Sequence, residues 1–176
     1  MPKEKKHYRR PHIRSGGQTG VDRAALDAAI LAGLPYEGWC PKGGWAEDFP
    51  QPPGLLTKYP GLRETPSEAP EERTEWNVRD SAATLILVPH GNYCSPGSGF
   101  TIESARKYGK LCTIVPYSEK RAAARVRDVL SQLREEESLN IAGPRESEHP
   151  GAYDRCLAVL AEAFGLLARK TNCTKS

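Results

Sequence analysis

The five cysteines, Cys40, Cys94, Cys112, Cys156 and Cys173, are odd in number, widely separated and nowhere spaced as CxxC. That excludes a zinc ribbon and gives no disulfide framework, so free thiols in a reducing compartment, the cytoplasm, are expected. The four histidines, His7, His12, His90 and His149, share no metal-ligand spacing, and no metal ligand is assigned. No apolar stretch approaches the roughly 18 residues of a membrane span, so no membrane partner is expected. The basic opening, MPKEKKHYRR, lacks the apolar core of a secretory signal. An excess of one charge is missing too. Net charge is +3, and the acidic run Glu135-Glu136-Glu137 is as dense as the basic opening. Both read as solvated surface, and no nucleic-acid partner is expected.

What is present is a globular chain: 176 residues, 38% hydrophobic and 27% charged, enough for one sizeable core. Residues 11–169 are expected to form one domain, with a basic tail at 1–10 and a C-terminal tail at 170–176. His12-Ile13-Arg14 is a short strand candidate. In VDRAALDAAILAGL, Val21, Ala25, Ala28 and Ala32 recur at helical spacing. Gly33 is the expected stop, and Thr19 or Ser15 the expected cap. Residues 40–70, rich in Pro and Gly, read as one long functional loop, packed through Trp45, Phe49, Leu55, Leu56 and Tyr59.

A short helix is expected over EERTEWNVRD. Residues 84–88, TLILV, and 111–115, LCTIV, read as strands buried on both faces, with Cys112 in the core. Further helices are expected at 119–136 and along the face formed by Leu157, Leu160, Ala161, Phe164 and Leu167. Residues 139–142 give a third interior strand. Strands alternating with helices predict an α/β, Rossmann-like three-layer fold, with a mostly parallel sheet and helices on both faces.

Two glycine-rich strand-to-helix turns stand out, SGGQTG (15–20) and SPGSGFT (95–101). In an open parallel sheet, ligands bind outside the carboxyl ends of the strands. A helix N-terminus there offers unpaired N–H groups and a positive dipole end. Glycine permits close approach, and Thr19, Ser95, Ser98 and Thr101 add hydroxyls. Both turns are therefore candidate phosphate or oxyanion sites. Neither is a dinucleotide GxGxxG, and neither has a P-loop lysine, which disfavours a nicotinamide cofactor and NTP hydrolysis. Arg23 and Lys42 are candidate neighbours. Arg73, Thr74 and Asn77 lie on a helix, with Arg73 and Asn77 on one face. Asn140 and Arg145 follow the third strand at the same edge. Glu103 is either a candidate general base or a helix-dipole acid. No clear nucleophile or acid–base pair is evident, so binding is expected over catalysis.

The blocks SGGQTGVDRAALD, GWCPKGGWAED, LRETPS, RTEWNVRDSAATLIL, SPGSGFT and LNIAGPRES, in this order from about Ile13 to Leu167, closely resemble the molybdenum carrier family. That family is grouped with Rossmann-like proteins that include the "Lonely guy" phosphoribohydrolases and the lysine-decarboxylase-like proteins. The resemblance implies a carrier of molybdenum cofactor, or of a related small phosphorylated ligand, that assembles as a homo-oligomer (dimer or tetramer). It places Gly16, Gly17, Gln18, Thr19 and Gly20 on one wall of the site. Ser95, Pro96, Gly97, Ser98, Gly99 and Thr101 form the other, with Arg73, Thr74 and Asn77 approaching the same cleft. The family's second turn reads SGGTxxT, so Pro96 and Ser98 are departures, and Pro96 removes an N–H donor. The phosphoribohydrolase relatives carry PGGxGTxxE. PGSGFTIE matches this in part and puts Glu103 near the place of their acid. The alternatives implied are a nucleoside-monophosphate N-glycosidase using Glu103 and a nucleotide-sensing domain without turnover.

Overall fold

The computed structural model describes residues 11–165. The elements are β1 (His12–Arg14), α1 (Val21–Ala32), β2 (Tyr36–Cys40), α2 (Leu55–Lys58), β3 (Leu62–Glu64), α3 (Pro70–Arg79), β4 (Ala83–Val88), α4 (Pro96–Lys107), β5 (Leu111–Pro116), α5 (Ala122–Ser131), β6 (Ser138–Ala142) and α6 (Ala152–Ala163). The six strands form one parallel sheet in the order β3-β2-β1-β6-β4-β5. Helices cover both faces, giving the three-layer Rossmann-like arrangement. The last strand in sequence is thus interior, paired with β1 on one side and β4 on the other.

Strand alternation sorts the two faces. Ile13, Leu85, Leu87, Val115, Leu139 and Ile141 point to one side, where α1, α5 and α6 close the main core. The α1 surface there is small, with Ala24, Ala25, Ala28 and Ala29 all fully buried, which lets the helix lie close. The opposite face, under α3 and α4, is polar near its centre: Arg14, Thr84 and Asn140 are buried there. This explains the basic composition of β1. Arg14 is 9% exposed because it donates from Nη2 to Glu37 Oε1 on β2 at 2.7 Å. A second, smaller core of Leu26, Cys40, Ala46, Leu55, Tyr59 and Leu62 lies under the 45–62 segment.

Several expectations are corrected. The 40–70 segment is not one loop: it holds a 3-10 turn (Lys42–Gly44), α2 and β3, and β2 precedes it unforeseen. Its pattern YEGWC hides a strand because Gly38 sits where Ser15 O would be only 2.0 Å from an added Cβ. Neither Thr19 nor Ser15 caps α1. Gly20 stands at that position, with no side-chain cap. Gly33 does end the helix, in the left-handed conformation. β4 is buried along its whole length, whereas β5 is an edge strand with Leu111 50% and Ile114 39% exposed and Cys112 half-buried. α5 is shorter than 119–136. Leu167 and both tails fall outside the described residues. No helix among the described residues is long and apolar enough to cross a membrane.

The SGGQTG stretch is stitched to the segment 46–49. Gln18 Oε1 accepts from the N–H groups of Thr19 and Glu47, both at 3.0 Å. The Thr19 hydroxyl donates to Glu47 Oε1 and accepts from the Glu146 N–H at 3.2 Å. Arg23 forms a fork on Asp48, at 2.7 and 2.8 Å, and donates from Nε to Gly17 O at 3.1 Å. Its guanidinium also lies over Phe49 and Tyr59. The Arg23 hydrogen bonds and charge hold the Asp48 carboxyl below its ordinary range. Burial acts to raise Glu47, but hydrogen bonds from Thr19 and Ser147 outweigh it and keep Glu47 low as well. Tyr59 and Tyr153 both donate to Asp27, at 2.6 and 2.7 Å, tying α2 and α6 to α1.

Two outcomes are expected. Leu139→Ala removes a fully buried side chain from the central strand and lowers stability by about 2–5 kcal/mol. Ile114→Ala on the exposed edge costs less than about 1 kcal/mol; urea unfolding midpoints compare the two. Asp48→Asn strands Arg23, whose side chain is 8% exposed, yet Asp48 itself is 42% exposed. Solvent screening therefore limits the loss to about 1–2 kcal/mol. Both acids have folded pKa values below their unfolded ones. Their contribution is complete above the ordinary carboxylate range and is lost as pH falls through the lower folded values. Wild type should lose stability on acidification more steeply than Asp48→Asn.

Candidate functional site

The chain leaves β1 and β6 toward the face of α1 and α6, but leaves β4 toward the face of α4. The connections part at the carboxyl edge of the sheet and open a crevice, the expected ligand position in such a fold. A cleft of about 410 Å³ lies there. One wall is the start of α4, with Ser95, Gly97, Ser98 and Thr101. The other is α3, with Arg73, Thr74 and Asn77. Asn140, Ala142 and Gly143, at the end of β6, make the floor, and Gly16 and Gln18 close the side.

Arg73 and Asp22 anchor this arrangement. Arg73 Nη1 donates to Asp22 Oδ2 at 2.9 Å, and the two side chains are 12% and 4% exposed. Burial pushes the Asp22 carboxyl above the usual carboxylate range, against the pull of Arg73. The guanidinium lies against Gly16, where an added Cβ would stand 1.9 Å from Nη1. Arg73 Nε is buried without an acceptor among the described residues. The pair thus holds Arg73 through Nη1, at the wall of the cleft.

The second glycine stretch forms differently from the expected turn. Ser95 is the N-cap of α4, its hydroxyl accepting from the Ser98 N–H at 3.2 Å, and Pro96 takes the first helical position. Gly97 and Gly99 are helical residues, neither with positive φ. An added Cβ at Gly97 meets nothing closer than Ser95 Oγ at 4.0 Å, and at Gly99 nothing closer than Cys94 Sγ at 3.8 Å. Packing within the chain therefore does not require glycine at either place. The Gly97 N–H has no acceptor among the described residues.

The candidates divide accordingly. Gly16, Gln18, Arg73, Thr74, Asn77, Ser95, Gly97, Ser98 and Thr101 come together on the cleft. Gly17 instead packs on Leu55, Leu62 and Leu26, with φ 74°. Gly20, φ 75°, lies under the backbone of Pro144 and Arg145, where a Cβ would be 2.4 Å from Pro144 O. Thr19, Gly20 and Arg23 face a separate hollow, Lys42 faces another, and Gly99 lies off the cleft. Asn77 reaches the cleft but is largely committed: it accepts from Trp39 N–H and donates to Trp39 O, at 2.8 and 2.9 Å. Glu103 is exposed on α4 and does not line the cleft. Asn140, within β6, and Arg145, just after it, also line the cleft, at the edge where the sequence placed them. Asp22, Glu71, Phe100 and Glu148 line it too and were not among the candidates. Among the described residues, no His, Cys, Asp and Glu cluster could hold a metal ion.

The crystal structure of the "putative molybdenum carrier protein" from Syntrophus aciditrophicus SB is similar over 89% of this chain and 95% of that chain, at 39% identity and a TM-score of 0.75. No curated protein gives a significant match. A family model, circularly permutated YpsA SLOG, matches residues 13–164. Permutation suits the sheet: if β6 is taken first, the strands run outward from the centre in one sweep to each side. With its late central strand and a match over nearly all its described residues, the chain belongs to the circularly permutated YpsA SLOG family.

Proposed function

We propose that the protein is a binding protein, holding molybdenum cofactor or a related small phosphorylated molecule in the cleft beside α4. One observation carries the reading: the start of α4, bare of a side chain at Gly97, faces Arg73 across a cleft of about 410 Å³. That volume lies within the range of small-molecule sites. A phosphate or oxyanion fits the Gly97 N–H, the hydroxyls of Ser95 and Ser98, and the helix dipole. Arg73 adds a charge held in place by Asp22, so little ordering remains to be done on binding. Asn140, 2% exposed, presents a carboxamide from the floor to the ring portion of the ligand. The carrier name of the similar bacterial protein supports the choice of cargo. Homo-oligomerisation and a cytoplasmic location belong to the same proposal.

The competing N-glycosidase needs Glu103 against the sugar–base bond. That carboxylate is solvent-exposed away from the cleft lining, so the geometry favours holding over cutting. Nucleoside monophosphates incubated with the protein should release no free base. Release abolished by Glu103→Ala would establish the enzyme instead.

The binding reading makes an uncommon demand on stability. Gly97→Ala should raise stability by about 0.5–1 kcal/mol, because alanine is the better helix former and meets no clash. The same methyl group should weaken cofactor binding by at least about tenfold, since it fills the approach to the N–H groups. Anaerobic titration with molybdenum cofactor, beside thermal unfolding, measures both. Absence of saturable binding to the wild type would refute the proposal.

A further inference from the structure

The cleft does not stop at its rim. Arg145 and Pro70 line it and also line a second hollow, of about 490 Å³. There they meet Lys42, Trp45, Pro50 and Pro52. Trp45 is 36% exposed, one of few large apolar side chains on the described surface. The Arg145 guanidinium lies over its ring, 5.9 Å from the centroid. The Lys42 ammonium has no acceptor among the described residues; only its backbone N–H is bonded, to Ser67 O at 2.9 Å. Glu68 is the only acid lining the hollow, so two cations face one carboxylate.

The walls are firmly set. Gly44 packs so tightly that an added Cβ would lie 2.3 Å from Pro53 O, and one at Gly43 would lie 3.2 Å from Pro52 Cγ. Trp45 is therefore held at the surface by packed backbone on its N-terminal side. On its C-terminal side, Ala46 exchanges hydrogen bonds with Phe49 at 3.2 and 2.9 Å. An indole fixed in the open beside two cations matches one ligand chemistry: a planar ring joined to a phosphate.

We infer that this hollow is a nucleotide subsite. Trp45 stacks on a heteroaromatic ring, while Lys42 and Arg145 hold its phosphate. Because Arg145 borders both spaces, one ligand spans them, with its phosphate at Arg145, one ring on Trp45 and the remainder in the cleft. Only the identity of that remainder rests on the carrier reading. Stacking tolerates any base, so the phosphate, not the base, sets affinity here.

The test follows Trp45 emission during titration with 5′-AMP, GMP, CMP and UMP, and with the four nucleosides lacking phosphate. Trp39 and Trp76 pack edge-on against each other, 4.8 Å apart, and do not line the hollow. Each nucleotide should quench saturably, with dissociation constants within about tenfold of one another. The nucleosides should bind at least about tenfold more weakly. Trp45→Phe should abolish the quench. Lys42→Ala, whose exposed side chain supports no packing, should weaken nucleotide binding by roughly tenfold with an unchanged unfolding curve.

The inference falls if no nucleotide quenches up to about 10 mM, if quenching survives in Trp45→Phe, or if nucleosides bind as well as nucleotides. Such a failure with intact cofactor binding removes this subsite alone. Nucleotide quenching without cofactor binding removes the carrier reading alone.

Discussion

The Asp22–Arg73 contact is the constraint on which the cleft depends. It joins the first turn of α1 to α3, two helices on opposite faces of the sheet, around the carboxyl edge. A carboxylate 4% exposed would be costly if left single, and so would the arginine facing it. Their pairing leaves little freedom to either. Gly16 is glycine because the guanidinium occupies the place of its side chain. The contact ties the first turn of α1 to α3, which Asn77 also pins to β2 through the backbone of Trp39. A buried ion pair is weak evidence for stability, but it fixes position well, and position is what a binding site needs.

Strand order does the rest. The loops that line the cleft come from residues 16–18, 95–101 and 140–148, far apart in sequence. They become neighbours because β6 enters between β1 and β4. Gly143 shows how close the fit is: an added Cβ would stand 2.3 Å from Leu87 O, at the end of β4. The segment after it covers the start of α1, with Val21 N–H bonded to Pro144 O at 3.2 Å. The Glu146 carboxylate accepts from Gly151 and Tyr153 N–H, at 2.5 and 2.9 Å, and so fills the start of α6. The starts of α1 and α6 are thus covered by the chain itself, whereas the starts of α3 and α4 line the cleft.

Much of this was legible in the sequence, and the gaps have physical causes. The run TLILV announced interior β4, which is buried at all six positions, whereas LCTIV reads alike and forms the edge strand β5. Composition reports strand propensity, not the number of neighbours. β2 was hidden because Gly38 meets the backbone of Ser15, a demand visible only once the strands are paired. The polar residues of the cleft floor, Asn140 and Arg145, could be placed at the sheet edge but not against a particular wall. That step needs the strand order, which local pattern does not encode. Thr19 and Arg23 sit in a conspicuous motif and yet serve mainly to hold the 46–49 segment.

The two glycine stretches make the sharpest case. Both read alike in sequence, as loops made permissive for a ligand. In SGGQTG each glycine answers to a neighbour in the chain: Gly16 to Arg73, Gly17 to Leu55 and Leu62, Gly20 to Pro144. Positive φ at Gly17 and Gly20 adds a second reason for the residue. In SPGSG neither reason applies. Gly97 and Gly99 are helical and uncrowded, positions where glycine weakens the helix without any packing gain. Of the two, Gly97 lines the cleft, where the absence of a side chain leaves room for a bound group, while nothing in the structure explains Gly99. On the proposed reading the anion is held at the start of α4, and the conspicuous first stretch is the frame that holds Arg73 opposite it.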